Sequence, residues 1–291
     1  MATFGIAALQ LELPNADNFA VCEAQIRAAR ARFPWLGMIV LPELATYGTS
    51  FEHAEKMPGP TERTYARLAA ELGVWLLPGS LYERRGDRIH NTCPVIDPRG
   101  RVVARYRKIF PWTPYERGVT PGDKFVVFDV PRVGRFGVSI CYDGWFPEVS
   151  RSLAWLGAEV IIHPTLTSAI DRDVELAVAR TNAASNQCYF LDVSVAAPLG
   201  VGRSIVCGPG GEVIHQAGSA HEVIVADVDL DYVRRCRKSG WNGLGQPLKS
   251  FRDSTVKFPC YGAARRQSTT LERLGPLRMR RPAKKPRATR S

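Results

Sequence analysis

The stretch with the most chemical content is Phe136-Gly137-Val138-Ser139-Ile140-Cys141-Tyr142-Asp143-Gly144-Trp145-Phe146-Pro147-Glu148. An apolar run ends at a cysteine, an Asp-Gly turn follows, and Pro147 suits the first position of a helix. A strand–elbow–helix of this kind exposes a thiol and aims backbone N–H groups at the group it attacks. Such donors stabilise an oxyanion, and a helix N-terminus lowers a thiol pKa. Taken alone, a buried structural cysteine is an equally good reading, because unpaired Cys is among the most buried residue types. Ser139 sits two positions earlier on the strand and is not taken as a nucleophile.

Two other segments bear on the choice. Ile39-Val40-Leu41-Pro42-Glu43 sets a carboxylate just past a buried strand, where partial desolvation raises its pKa and suits it to take a thiol proton. Tyr106-Arg107-Lys108-Ile109-Phe110-Pro111-Trp112 sets a lysine after a strand, amid apolar and aromatic residues, where it can offer fixed positive charge to an oxyanion. In isolation, each reads more simply as a strand-end surface charge.

The elements that must position these groups alternate. Strand-like runs are expected over residues 4–11, 38–41, 74–82, 125–130, 136–140, 159–163, 189–195 and 223–228. Helical spacing covers 15–33, with Asn15 and Asp17 as capping candidates, and 61–72, with Thr61 as a possible cap. Further helices are expected near 147–156, 171–187 and 230–237. Strands 92–96 and 101–106 flank the turn Asp97-Pro98-Arg99-Gly100, and 204–207 and 212–215 flank Gly208-Pro209-Gly210-Gly211. The second turn is not a phosphate loop, since it lies between strands and no Lys-Ser/Thr follows it. Alternation gives an α/β class, and the repeated hairpin suggests two halves sharing one core.

The chain of 291 residues carries a net charge of +11. Ten basic residues and one acid, Glu272, fall after Gly262, so residues 263–291 hold +9 of that charge. A near-neutral body over residues 1–262 and a basic, Pro-rich tail are therefore expected, the tail disordered or draped on a neighbour. This removes the bulk argument for a nucleic-acid partner. Seven cysteines without a CxxC, and five histidines without metal-ligand spacing, argue against a disulfide framework or metal site. A reducing cytoplasm fits the free thiols, the start lacks a signal-peptide pattern, and no apolar run reaches membrane-spanning length.

Taken in order, the Glu43, Lys108 and Cys141 segments resemble the Glu–Lys–Cys motifs of the nitrilase (carbon–nitrogen hydrolase) superfamily, over roughly residues 3–230. Lys108 through Glu116 and Cys141-Tyr142-Asp143-Gly144 are most similar to its aliphatic amidase and formamidase branch. The resemblance implies a single-domain αββα sandwich, pairing of subunits into homo-oligomers, and no cofactor. It implies Cys141 as nucleophile, Glu43 as general base, Lys108 and the Tyr142 backbone N–H as oxyanion donors, and Glu116 as a second glutamate positioning Lys108. Tyr47, Trp112, Trp145 and Thr165 are the substrate-pocket candidates, with Trp145 open between pocket and core. Cys-Tyr-Asp in place of Cys-Trp-Glu favours amides over nitriles. The implied activity is hydrolysis of a non-peptide carboxamide through a thioester. N-carbamoyl amines, nitriles, and acyl transfer to an amine remain alternatives on the same residues. A binding protein anchored by its basic tail is the reading from another class.

Overall fold

The computed structural model describes residues 3–261 and 268–277. The chain opens on β1 (Phe4–Gln10), buried from Gly5 onward. A strand apolar on both faces must be covered on both. Then come α1 (Phe19–Arg32), β2 (Leu36–Val40), α2 (Pro60–Leu72), β3 (Trp75–Leu77), β4 (Leu81–Arg85), β5 (Arg88–Ile96) and β6 (Val102–Arg107). The second half runs β7 (Val126–Val130), β8 (Gly134–Val138), α3 (Pro147–Trp155), β9 (Val160–Thr165), α4 (Arg172–Asn186), β10 (Tyr189–Ser194), β11 (Ile205–Cys207) and β12 (Val213–Gln216). It closes with β13 (Glu222–Val228), α5 (Leu230–Ser239), α6 (Pro247–Asp253) and α7 (Thr269–Glu272).

The strands form two sheets. One has the order β13-β1-β2-β3-β5-β4, with β6 also on β5; the other has the order β12-β11-β10-β9-β8-β7. Their facing sides share one core, with Ile6, Met38, Val40 and Leu77 against Phe136, Val138, Ile162 and Leu191. The outer face of the first sheet takes Ile26, Tyr65 and Leu68 of α1 and α2. That of the second takes Val149, Leu153, Leu176 and Ala179 of α3 and α4. Each such buried aliphatic or aromatic side chain contributes about 1.5–3 kcal/mol. The layers are thus α, β, β, α, as the resemblance implied, and each sheet contains one of the two hairpins read from the sequence.

Three local readings change. The run 74–82 is two strands, because Pro78-Gly79 turns the chain between β3 and β4. The first helix starts at Phe19 rather than 15, because the Asn18 side chain donates instead to the carbonyls of Pro14, Ala16 and Ala45. Thr61 lies inside α2 rather than capping it; its N–H and hydroxyl both donate to Glu55. The short helix α6 had no expectation from the sequence. Of the tail 263–291, all but residues 268–277 lies outside the described residues. All seven cysteines are unpaired. Among the described residues, no helix is long and apolar enough to cross a membrane, and no group of His, Cys, Asp and Glu could hold a metal ion.

Candidate active site

Strands β1, β2 and β3 run parallel, as do β8, β9 and β10. The carboxyl ends of parallel strands are where open α/β sheets place their sites. Glu43 follows β2, Lys108 follows the antiparallel β6, Cys141 follows β8, and Leu166 follows β9. Glu43 and Lys108 thus come from one sheet and Cys141 from the other.

Lys108 is the centre of the cluster. Its buried Nζ donates to Glu43 Oε1 at 2.9 Å and to Glu116 Oε2 at 2.8 Å. Asn91 Nδ2 binds the same two carboxylates, at 2.8 Å and 3.1 Å. Trp112 N donates to Glu116 Oε2 at 2.8 Å, which fixes the loop after β6 over the cluster. An ammonium has three donors. Two are used here, so one N–H of Lys108 is left for a ligand oxygen.

The strand that delivers Glu43 is tightly seated. Gly79 has φ +71, and a Cβ there would stand 1.7 Å from the Pro42 carbonyl oxygen. Only glycine fits against that backbone.

Cys141 itself has φ +46, a left-handed conformation that costs a non-glycine residue roughly 1 kcal/mol or more. Asp143 holds this elbow. Its Oδ2 accepts from Ile140 N at 3.0 Å and Tyr106 OH at 2.7 Å, and its Oδ1 from Phe110 N at 2.8 Å. Two of these donors belong to the β6 segment, so Asp143 ties the elbow of one sheet to the Lys108 loop of the other. Burial pushes the Asp143 carboxyl up to about 6, against the pull of its three donors.

Electrostatics divide the proton between two groups. Burial, and then the Glu43 carboxylate, push the Cys141 thiol well up, with Lys108 opposing. Burial also raises Glu43, again opposed by Lys108, and the Cys141 thiol, which shares a cleft with Glu43, donates to the Leu166 carbonyl at 3.7 Å. The flanking carboxylates outweigh burial and keep Lys108 charged. The result is a neutral thiol beside a carboxylate of raised basicity, with a fixed cation between two acids.

A cleft of about 420 Å³ opens over Cys141, lined by Glu43, Lys108, Glu116, Phe51, Tyr82 and Trp112 among others. Trp112 therefore faces it, stacked on Tyr115 at 4.5 Å. Thr165 is buried at the end of β9, its Oγ1 without a hydrogen-bond partner among the described residues, and it does not line this cleft. Trp145 lines no part of this cleft; it is exposed, and its Nε1 reaches Glu175 Oε1 at 3.4 Å. Tyr47 is a correction. It stacks on His53 at 4.3 Å, hydrogen-bonds Thr61 at 2.9 Å, and lines a separate small hollow behind Tyr82. The tyrosine follows Glu43 closely in sequence, but Leu44 has φ +51 and the chain turns away there.

The carbon–nitrogen hydrolase family model matches residues 5–238. The chain belongs to that family. The omega-amidase of Danio rerio is 31% identical over 259 residues, which is 82% of this chain and 92% of the relative. A nitrilase-superfamily member of Saccharomyces cerevisiae superposes with TM-score 0.75 at 27% identity, over 81% of this chain and 93% of that one. An amidase from Nesterenkonia sp. superposes with TM-score 0.72 at 22% identity, over 81% and 94%. These relatives keep an amidase-type branch in view, in keeping with the motif resemblance.

Sequence reading of this carbon–nitrogen hydrolase missed Asn91, which lies in the middle of β5 with no charge or turn signal to mark it. It also missed a second buried ionic cluster. Arg172 donates to Glu175 Oε2 at 3.2 Å, to Asp192 Oδ1 at 2.5 Å, and to the carbonyls of Gly202 and Arg203. Its members are spread over 32 positions, and no short motif joins them.

Proposed function

We propose that this carbon–nitrogen hydrolase is an amidohydrolase that works through a thioester on Cys141. Glu43 takes the thiol proton as Sγ bonds to the amide carbon and the C=O π electrons move to oxygen. The third N–H of Lys108 and the Tyr142 backbone N–H hold that oxyanion. Glu116 keeps Lys108 in place. As the tetrahedral species collapses, the C–N bond breaks and Glu43 returns the proton to the leaving nitrogen, releasing ammonia or an amine. Glu43 then deprotonates water, which cleaves the thioester to the carboxylic acid and restores the thiol. Splitting one acyl transfer into two in this way lowers each barrier.

The observation that carries this reading is Lys108 bridging Glu43 and Glu116 at 2.9 Å and 2.8 Å, in one cleft with Cys141. It is supported by the omega-amidase name of relatives such as that of Danio rerio. It is supported too by the Nesterenkonia amidase, where the acetamide moiety of fluoroacetamide adds covalently at the active-site cysteine. Trp112 belongs to the substrate site in this proposal; Thr165, Trp145 and Tyr47 do not line the cleft. A cytoplasmic home fits the free thiols, and a homo-oligomer is the family's habit; light scattering on the purified chain tests the second.

The deciding experiment is ammonia release from short, branched and aromatic carboxamides, with matching nitriles and N-carbamoyl amines, by the wild type and Cys141→Ala. Release from amides that disappears in the variant is expected. Equal release by both proteins would overturn Cys141 as nucleophile. Release only when an amine acceptor is added would turn the reading to acyl transfer.

A further inference from the structure

Two hollows meet at Cys141. The wider cleft alone is lined by Glu43, Lys108 and Glu116. A narrow recess of about 20 Å³ adjoins it, and Thr167, Asp171 and Glu175 line only that recess. Cys141, Trp112 and Leu166 border both. If the leaving nitrogen faces Glu43, as the proposed reaction requires, the acyl substituent is directed away from it, toward the recess. The recess has room for one small head group.

Glu175 is the buried carboxylate there. Its Oε2 accepts from Thr167 Oγ1 at 2.6 Å and from Arg172 Nη1 at 3.2 Å. Its Oε1 has only Trp145 Nε1 at 3.4 Å, at the limit of a hydrogen bond. Arg172 is shared with Asp192, so one guanidinium serves two carboxylates. The nearby His163 adds no charge, because burial pushes it down to about 3. Asp171 Oδ1, in the same recess, is buried without a hydrogen-bond partner among the described residues. Burial raises both Glu175 and Asp192, with Arg172 opposing, so holding charge on both is costly and a cation in the recess would offset that cost.

We propose that Glu175 is a specificity-determining residue that selects carboxamides bearing an ammonium group on the acyl side, as in an amino-acid amide. This rests on the reading of Cys141 as nucleophile and Glu43 as base. The ammonium donates to Glu175 Oε1, the under-used oxygen. A second effect follows. The Glu175 charge itself opposes thiolate formation at Cys141. A bound ammonium screens that charge, so a cationic substrate assists its own attack.

The test compares alaninamide with propionamide, which differ by the amino group. The expected wild-type kcat/KM ratio is at least about tenfold in favour of alaninamide. In Glu175→Gln the ratio falls to near unity, whatever happens to the absolute rates. In the wild type the ratio also declines as pH rises past about 8, where an α-amino group loses its proton. Calorimetric binding of both amides to Cys141→Ala, with and without Glu175→Gln, gives the same comparison without turnover. A wild-type ratio near one, or a Glu175→Gln variant that loses both substrates equally, overturns the proposal. Glu175-dependent binding of alaninamide with no turnover of any amide would leave this proposal standing and sink the hydrolase reading instead.

Discussion

Lys108 and Arg172 each stand buried between two carboxylates, a few residues from opposite borders of the same thiol. Lys108 spends two of its three donors on Glu43 and Glu116 and keeps one for a ligand. Arg172 spends four of its five on Glu175, Asp192 and two backbone carbonyls, which join α4 to β10 and the loop before β11. The ammonium is a compact point charge and the guanidinium a planar fork. One therefore keeps a donor for a ligand oxygen, and the other fastens structure while its single positive charge is shared between Glu175 and Asp192. Equal ionic composition gives different roles because the number of remaining donors differs.

That contrast can be broken from either side. Lys108→Ala should lower kcat/KM by about a thousandfold, or about 4 kcal/mol, because it removes the proposed oxyanion donor. Steady-state ammonia release measures it, and a loss below about tenfold would place Lys108 outside the chemistry. Arg172→Met should instead act on folding. It strands Glu175 and Asp192 as buried, uncompensated acids, and denaturant titration should show a loss of about 3 kcal/mol. If Arg172→Met folds as well as wild type and only its rates change, the division of labour drawn here is wrong.

Asp143 sharpens the comparison through pH. Its carboxyl is raised by burial from 3.8 to about 6 in the folded chain. A raised folded pKa means that its contribution is fully present below about pH 4 and is lost as pH rises to about 6. The stability of the wild type relative to Asp143→Asn should therefore fall by up to about 3 kcal/mol across that window. A flat difference would show that the three donors to Asp143 fully offset its burial, and a rising one that they outweigh it. The smallest expected effect is that of Tyr47→Phe. Loss of the Thr61 hydrogen bond should cost about 1 kcal/mol of stability, with kcat/KM unchanged, since the residue lines a different hollow. A tenfold loss of activity would return Tyr47 to the substrate site.

Much of the architecture was legible because periodicity is a local property. Buried runs such as β1 and β9, and helices such as α4, announce themselves within a dozen residues. The Pro78-Gly79 break inside 74–82 is written in the sequence too, although the apolar run on either side of it masks the turn. Glu43, Lys108 and Cys141 stood out because each follows a strand within a recognisable segment. Asn91 and the Arg172 cluster did not, because an interior strand residue and a helix-start arginine look ordinary until their partners are known.

The sequence by itself therefore determined the alternation of strands and helices, the order of the three motif segments, and the residue types that could perform acyl transfer. Tertiary structure alone decided that Lys108 leaves one donor free and that Glu43 shares a cleft with the thiol. It alone excluded Tyr47 from the cleft and put Glu175 in a recess beside Cys141. The physical reason is range. Periodicity and turn chemistry act over a few bonds along the chain, whereas desolvation and charge act through space, between strand ends that only the packing of two sheets brings together.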